Sequence, residues 1–138
     1  MTTRAPLRLR TGAVTVLLGD DAARRSLLAE LDEDSARCRS GHDLPAVARL
    51  CFDHAVPAPQ RAQSVAAHGG LAVLLADRPT LGLDDAGRRT VLQALRSVAL
   101  AGTAVLVDDV DPVAALAVAD GALRVGVDGS LVADDLGL

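Results

Sequence analysis

Gly19 closes an apolar run and is followed by Asp20, Asp21, Ala22, Ala23, Arg24, Arg25 and Ser26. A glycine, a basic residue and a hydroxyl at this spacing are the residue types that close around a phosphate. Glycines let backbone N–H groups curl around the anion, a cation reaches its outer oxygens, and the hydroxyl ligates Mg²⁺. Asp20 and Asp21 work against such a use, because two like charges a few ångströms away repel by about 1 to 4 kcal/mol each. Capping the following helix is the plainer role for both aspartates. Acids recur at two later points, as Asp77 beside Arg78 and as the cluster Asp108, Asp109 and Asp111. The cluster raises the question of a metal site, against which stands ordinary capping or solvation. His42, His54 and His68 show no metal-type spacing with Cys38 or Cys51, and reduced structural thiols are expected of both cysteines. No Ser-His-Asp or Cys-His order for nucleophilic catalysis stands out.

Four apolar segments of strand length position these residues: Val14–Leu18, Val47–Phe52, Ala72–Ala76 and Thr103–Val107. Each is near-continuously apolar rather than alternating, the pattern of parallel strands covered on both faces. Helical patterns lie between them at Ala23–Leu31, Gln60–His68 and Asp85–Leu100. In the last, Val91, Leu92, Leu95, Val98 and Leu100 recur at helical spacing, Asp84 or Asp85 is placed to cap, and Gly102 to stop it. Ala122–Val127, Asp128-Gly129 and Ser130–Ala133 read as a hairpin with an Asp-Gly turn. His54–Pro59, with two prolines, reads as a loop. The expected architecture is an α/β domain spanning residues 1–138, a parallel sheet with crossover helices and a C-terminal β-hairpin.

Composition narrows the function. Half of the 138 residues are apolar, yet Phe52 is the sole aromatic residue, so base-stacking recognition of single-stranded nucleic acid has no platform. All 14 basic residues are arginine, and lysine, isoleucine and asparagine are missing, a bias that GC-rich coding explains. The net charge of −4 disfavours electrostatic capture of DNA or an anionic membrane. The basic start, Arg4, Arg8 and Arg10, precedes an apolar run too short to span a bilayer and without a signal-peptide cleavage site. A cytoplasmic location is expected.

The second half carries a family resemblance. Leu71–Asp84, LAVLLADRPTLGLD, resembles the Walker B strand and D-loop of ABC transporter ATP-binding domains, which read hydrophobic-D-E-P-T-x-G-L-D. GTAVLVDDVDPVAALAVADGALRVGVDGSLVADD continues in the family's order through the H-loop strand, a helix ending in Ala-Asp and a closing hairpin. About 65 residues match in register. The first half is similar more faintly: VTVLLGDDAARRSLLAEL resembles the strand, phosphate loop and helix, RSGHDLPAVARLCFDH the approach to the Q-loop, and PAPQRAQ falls near the L-S-G-G-Q signature. About 38 residues lie between the loop and that position, so the resemblance implies a P-loop-NTPase-like core that has lost the ABC helical subdomain and the N-terminal antiparallel layer.

The resemblance also implies a damaged site. Ala22 and Arg24 stand at glycine positions and Arg25 at the lysine, while Ser26 keeps the hydroxyl and Asp77 the Walker B acid. The catalytic glutamate position holds Arg78, which cannot take a proton from water. The H-loop histidine position falls on Val110 and the Q-loop glutamine on or near His54. Hydrolysis of ATP is therefore not expected, and neither ATP nor Mg²⁺ is expected as a cofactor. A vestigial nucleotide site would consist of Gly19, Arg25, Ser26 and Asp77. Arg78, with Arg24 or Arg25, is expected to pair with Asp20, Asp21, Asp108 or Asp109 and fill the phosphate pocket. Asp84 either contacts a second subunit, as in ABC dimers, or caps its helix. The function implied is a non-catalytic interaction, regulatory or accessory subunit of a bacterial system, working with a protein partner or as a homodimer. The alternatives are a nucleotide or anion sensor at Ser26 and a repurposed enzyme using the vacated cleft.

Overall fold

A computed structural model describes residues 9–38 and 47–134. The strands are β1 (Val14–Gly19), β2 (Val47–Cys51), β3 (Val73–Asp77), β4 (Ala104–Asp108), β5 (Gly121–Val125) and β6 (Leu131–Asp134). The helices are α1 (Asp21–Cys38), α2 (Ala58–Ala67), α3 (Asp85–Leu100) and the short α4 (Pro112–Ala115), which continues as a single 3₁₀ turn, Leu116–Val118. One sheet has the order β2-β3-β4-β1-β5-β6, parallel except for the β5–β6 hairpin. The expected α/β architecture is what forms. Among the described residues, β2 runs into α2 through residues 52–57 with no helical subdomain between them.

Strand order dictates the layers. The connection from β1 travels to the β2 edge, whereas those from β2, β3 and β4 travel back the other way. Right-handed crossovers therefore require α1 on one face and the other helices on the opposite face. The core divides accordingly. Leu17, Leu75 and Leu106 pack with Leu27 and Leu28 of α1. Val14, Val16, Leu74, Val105 and Val107 pack with Val65 of α2, Leu92 and Leu95 of α3, and Ala115 and Val118 beyond. Successive strand residues serve opposite layers, which explains why the strands read as unbroken apolar runs.

Several termini follow local chemistry. The Asp84 carboxylate accepts from Gly87 N at 2.7 Å and caps α3, and Asp111 caps α4 through Ala114 N at 3.1 Å. Gly102, at φ 123°, follows the end of α3. No helix among the described residues is long and apolar enough to cross a membrane.

Candidate functional site

In an open parallel sheet the ligand crevice lies outside the carboxyl ends of neighbouring strands whose connections leave to opposite faces. Here those strands are β1, which feeds α1, and β4, which feeds α4. Their ends bring Gly19, Asp20, Asp108 and Asp109 together, with Asp77 and Arg78 one strand further along.

No loop separates β1 from α1. The strand ends at Gly19 and the helix begins at Asp21. Asp20 closes the junction, its carboxylate accepting from Ala23 N at 3.0 Å, which is the capping role expected of it. Residues 21 to 24, which a phosphate-binding loop would hold as open backbone, are instead the first turn of the helix. Two arginines, two alanines and an N-capping acid favour helix over a glycine-rich curl. Gly19 serves the sheet: its φ is 107°, and an added Cβ would lie 2.2 Å from the Val125 carbonyl oxygen on β5.

Winding those residues into the helix aims Arg24 at the crevice. Its side chain is almost wholly buried, at 6 % exposed. Nη1 donates to Asp108 Oδ1 at 2.6 Å and to the Asp109 carbonyl at 3.1 Å. Nε donates to the Gly19 carbonyl at 3.2 Å, and Nη2 to Asp21 Oδ1 at 3.1 Å. One guanidinium thus ties the end of β1 to the end of β4. Burial raises the Asp108 pKa, Arg24 lowers it, Asp77 and Asp21 push it up again, and Arg78 pulls it down; the net movement is upward.

Neighbouring acids are committed as well. Asp77 Oδ2 accepts from Arg49 Nη2 at 2.7 Å and Nε at 3.2 Å, across from β2. Asp109, buried, accepts from the Thr80 hydroxyl at 2.7 and 2.8 Å and from Val110 N at 2.9 Å. The expected pairing of Arg78 is corrected. Among the described residues it has no carboxylate within 4.0 Å, and Arg24 takes the place assigned to it. The reason is conformational: Arg78 sits at φ 48°, and its N–H donates to the Asp108 carbonyl at 2.7 Å, so the chain reverses at the end of β3. Arg25 and Ser26 lie exposed on α1. Ser26 borders a shallow recess of about 290 Å³ that Asp20, Val127 and Asp128 also line.

Two residues here escaped the sequence reading. Arg49 interrupts the apolar run of β2, a signal that a strand charge has a partner. Arg61 stands in line with Ala58 and Val65 on the inward face of α2 and is fully buried. It donates to the carbonyls of Val56 (2.8 Å), Pro79 (3.0 Å) and His54 (3.2 Å), with Phe52 facing its guanidinium at 5.5 Å. Burial lowers its pKa against the pull of Asp109 and Asp53. The clamp holds the loop after β2 onto the turn after β3, where His54 lies against Gly82. Elsewhere, His68 bonds the Ser64 carbonyl at 2.7 Å. Cys51 is free and exposed, unlike the structural thiol expected. His42 lies outside the described residues.

A sheet parallel but for its terminal hairpin, opening on a strand–helix junction with an Asp-ended strand beside it, defines the class: an open α/β fold with helices on both faces. Solved structures make the likeness specific. An ATP-binding subunit of an ABC transporter superposes with TM-score 0.59 at 12 % identity, covering 94 % of this chain and 81 % of that one. A bacterial ABC transporter cassette solved as a dimer gives 0.65 at 13 %, covering 94 % and 88 %. A transporter described as of metal-chelate type, in an inward-facing conformation, gives 0.58 at 14 %, covering 92 % and 73 %. The chain has the fold of the ABC ATP-binding cassette. No protein-family model matches its sequence, and no curated protein does.

Proposed function

We propose that this chain is a non-hydrolysing relative of the ABC ATPases, a single domain that acts as an interaction, regulatory or accessory subunit in the cytoplasm. The observation that carries the reading is Arg24. Its guanidinium lies where a bound phosphate would need open space and backbone donors, and it is already satisfied by Asp108 and three further oxygens. The residues present do not fit Mg·ATP. The backbone of the presumptive phosphate loop is helical from Asp21 onward, and Arg25 and Ser26 face solvent. Asp77, the remaining metal-type acid, is bonded to Arg49. The position of a general base is Arg78, which has no basic lone pair near neutral pH.

A protein whose ligand crevice is closed acts through its surface. Leu100, Val110, Val113, Val127 and Val132 are large apolar side chains left exposed, and among the described residues neither sheet edge, β2 or β6, pairs with a further strand. Surfaces of this kind are commonly covered by a partner or a second copy. The low aromatic content and net charge of −4 point away from nucleic acid. Calorimetric titration with Mg·ATP and Mg·ADP at millimolar concentration tests the reading, and no binding heat is expected. Saturable binding below about 1 mM, some 4 kcal/mol of affinity, would overturn it in favour of a nucleotide sensor.

A further inference from the structure

The side of α3 away from α2 meets α4 and the 3₁₀ turn across an open groove of about 420 Å³. Leu92, Ala114, Ala117 and Val118 give it an apolar lining, and Asp85, Arg88, Arg89 and Gln93 a polar one.

The charges of the polar lining are incompletely answered from within. Among the described residues Arg89 is exposed with no carboxylate within 4.0 Å, and Arg88 Nε is buried without a hydrogen bond. Arg88 Nη1 reaches Asp85 at 3.4 Å and Asp111 at 3.6 Å. Asp85 is 93 % exposed on its side chain and easily displaced, and Asp111 already caps α4. Two arginines against the single carboxylate of Asp85 leave the groove lining with one net positive charge on a chain of net charge −4. The groove is open to solvent, so it suits part of a larger partner better than a small molecule, which needs most of its surface buried.

We infer that this groove is a docking site for an acidic segment of a protein partner, which lays an aliphatic side chain on Leu92 and Val118 and a carboxylate against Arg89 and Arg88. The inference rests on the interaction reading above and gives it a location and a chemistry. Charged groups at such a rim set partner choice and register, and the apolar contact supplies much of the affinity.

The test is selection of a phage-displayed library of short random peptides on the full chain, with each enriched peptide resynthesised and titrated by fluorescence anisotropy. Enriched peptides are expected to pair Asp or Glu with Leu, Ile or Val. Arg89→Glu and Ala117→Asp should each weaken them about tenfold or more, while Val132→Asp on β6 leaves them unchanged. Thermal melts of all three variants report that the fold is kept, since each residue is exposed. Neutral or basic enriched peptides, binding indifferent to Arg89→Glu and Ala117→Asp, or an empty selection would each overturn the groove assignment. Peptides that bind but map elsewhere would remove the groove and leave the interaction reading standing. Nucleotide binding in the separate calorimetry would remove that reading without touching the groove.

Discussion

Replacing Arg24 by alanine tests the structural argument at its centre. The guanidinium is 6 % exposed and its partner Asp108 only 2 %, at 2.6 Å, so the substitution strands a carboxylate away from water and unties the carbonyls of Gly19 and Asp109. Breaking a buried pair from one side costs about 3–5 kcal/mol, against about 0–1 kcal/mol for a surface pair. With a urea slope of about 2 kcal/mol per M, the unfolding midpoint should fall by roughly 2 M at unchanged slope. A domain of this kind has about 5–15 kcal/mol in hand, so the variant should still fold in buffer. Adding Asp108→Asn removes the stranded charge. The double variant should then be less damaged than the sum of the single ones by about 1–3 kcal/mol. If Arg24→Ala costs under about 1 kcal/mol, or the two substitutions add, Arg24 does not close the crevice and the proposed function loses its main support.

Other outcomes follow from the same geometry. Burial holds the Asp108 pKa above the usual carboxylate value, so its own contribution to stability is greatest below the unfolded-state pKa and declines as pH rises through the folded one. The stability of wild type minus Asp108→Asn, from urea titrations between pH 3.5 and 7, should therefore fall with rising pH; a rise would contradict the assignment. Gly19→Ala combines a positive φ with a Cβ 2.2 Å from Val125 O, whereas Gly102→Ala meets nothing within 4 Å. Thermal melts should show the first costing at least about 2 kcal/mol more. Arg61→Leu leaves the carbonyls of Val56, Pro79 and His54 without their donor and should cost about 3 kcal/mol. Hydrogen exchange should then quicken at Leu81 and Leu83, whose amides close the turn after β3; unchanged exchange there would deny Arg61 its clamping role.

The sequence by itself determined the architecture. Apolar runs of strand length, the helical spacing of Val91, Leu92, Leu95 and Val98, the Asp84 cap and the Asp-Gly hairpin are local or periodic signals, and the elements formed within a few residues of their expected places, except that α1 runs to Cys38 rather than Leu31 and Leu100, expected on the apolar face of α3, is exposed. The likeness of LAVLLADRPTLGLD to a Walker B strand and D-loop also pointed to the fold that the solved structures share. What the sequence left open was which charges meet. Arg24, Arg25 and Arg78 all lay near the expected crevice, and only the register of β1 against β4 and the early start of α1 chose Arg24. The same holds for Arg49 with Asp77, and for Arg61 with carbonyls on two separate turns. Such pairings span many residues, and a side chain's reach depends on helix phase and strand order, which neighbouring residues do not encode. Gly19, Asp20 and Ser26 resembled, in sequence, a phosphate loop with residues replaced; that the residues after Asp20 form the first turn of a helix, with Arg24 bonded to Asp108, was decided by the tertiary structure.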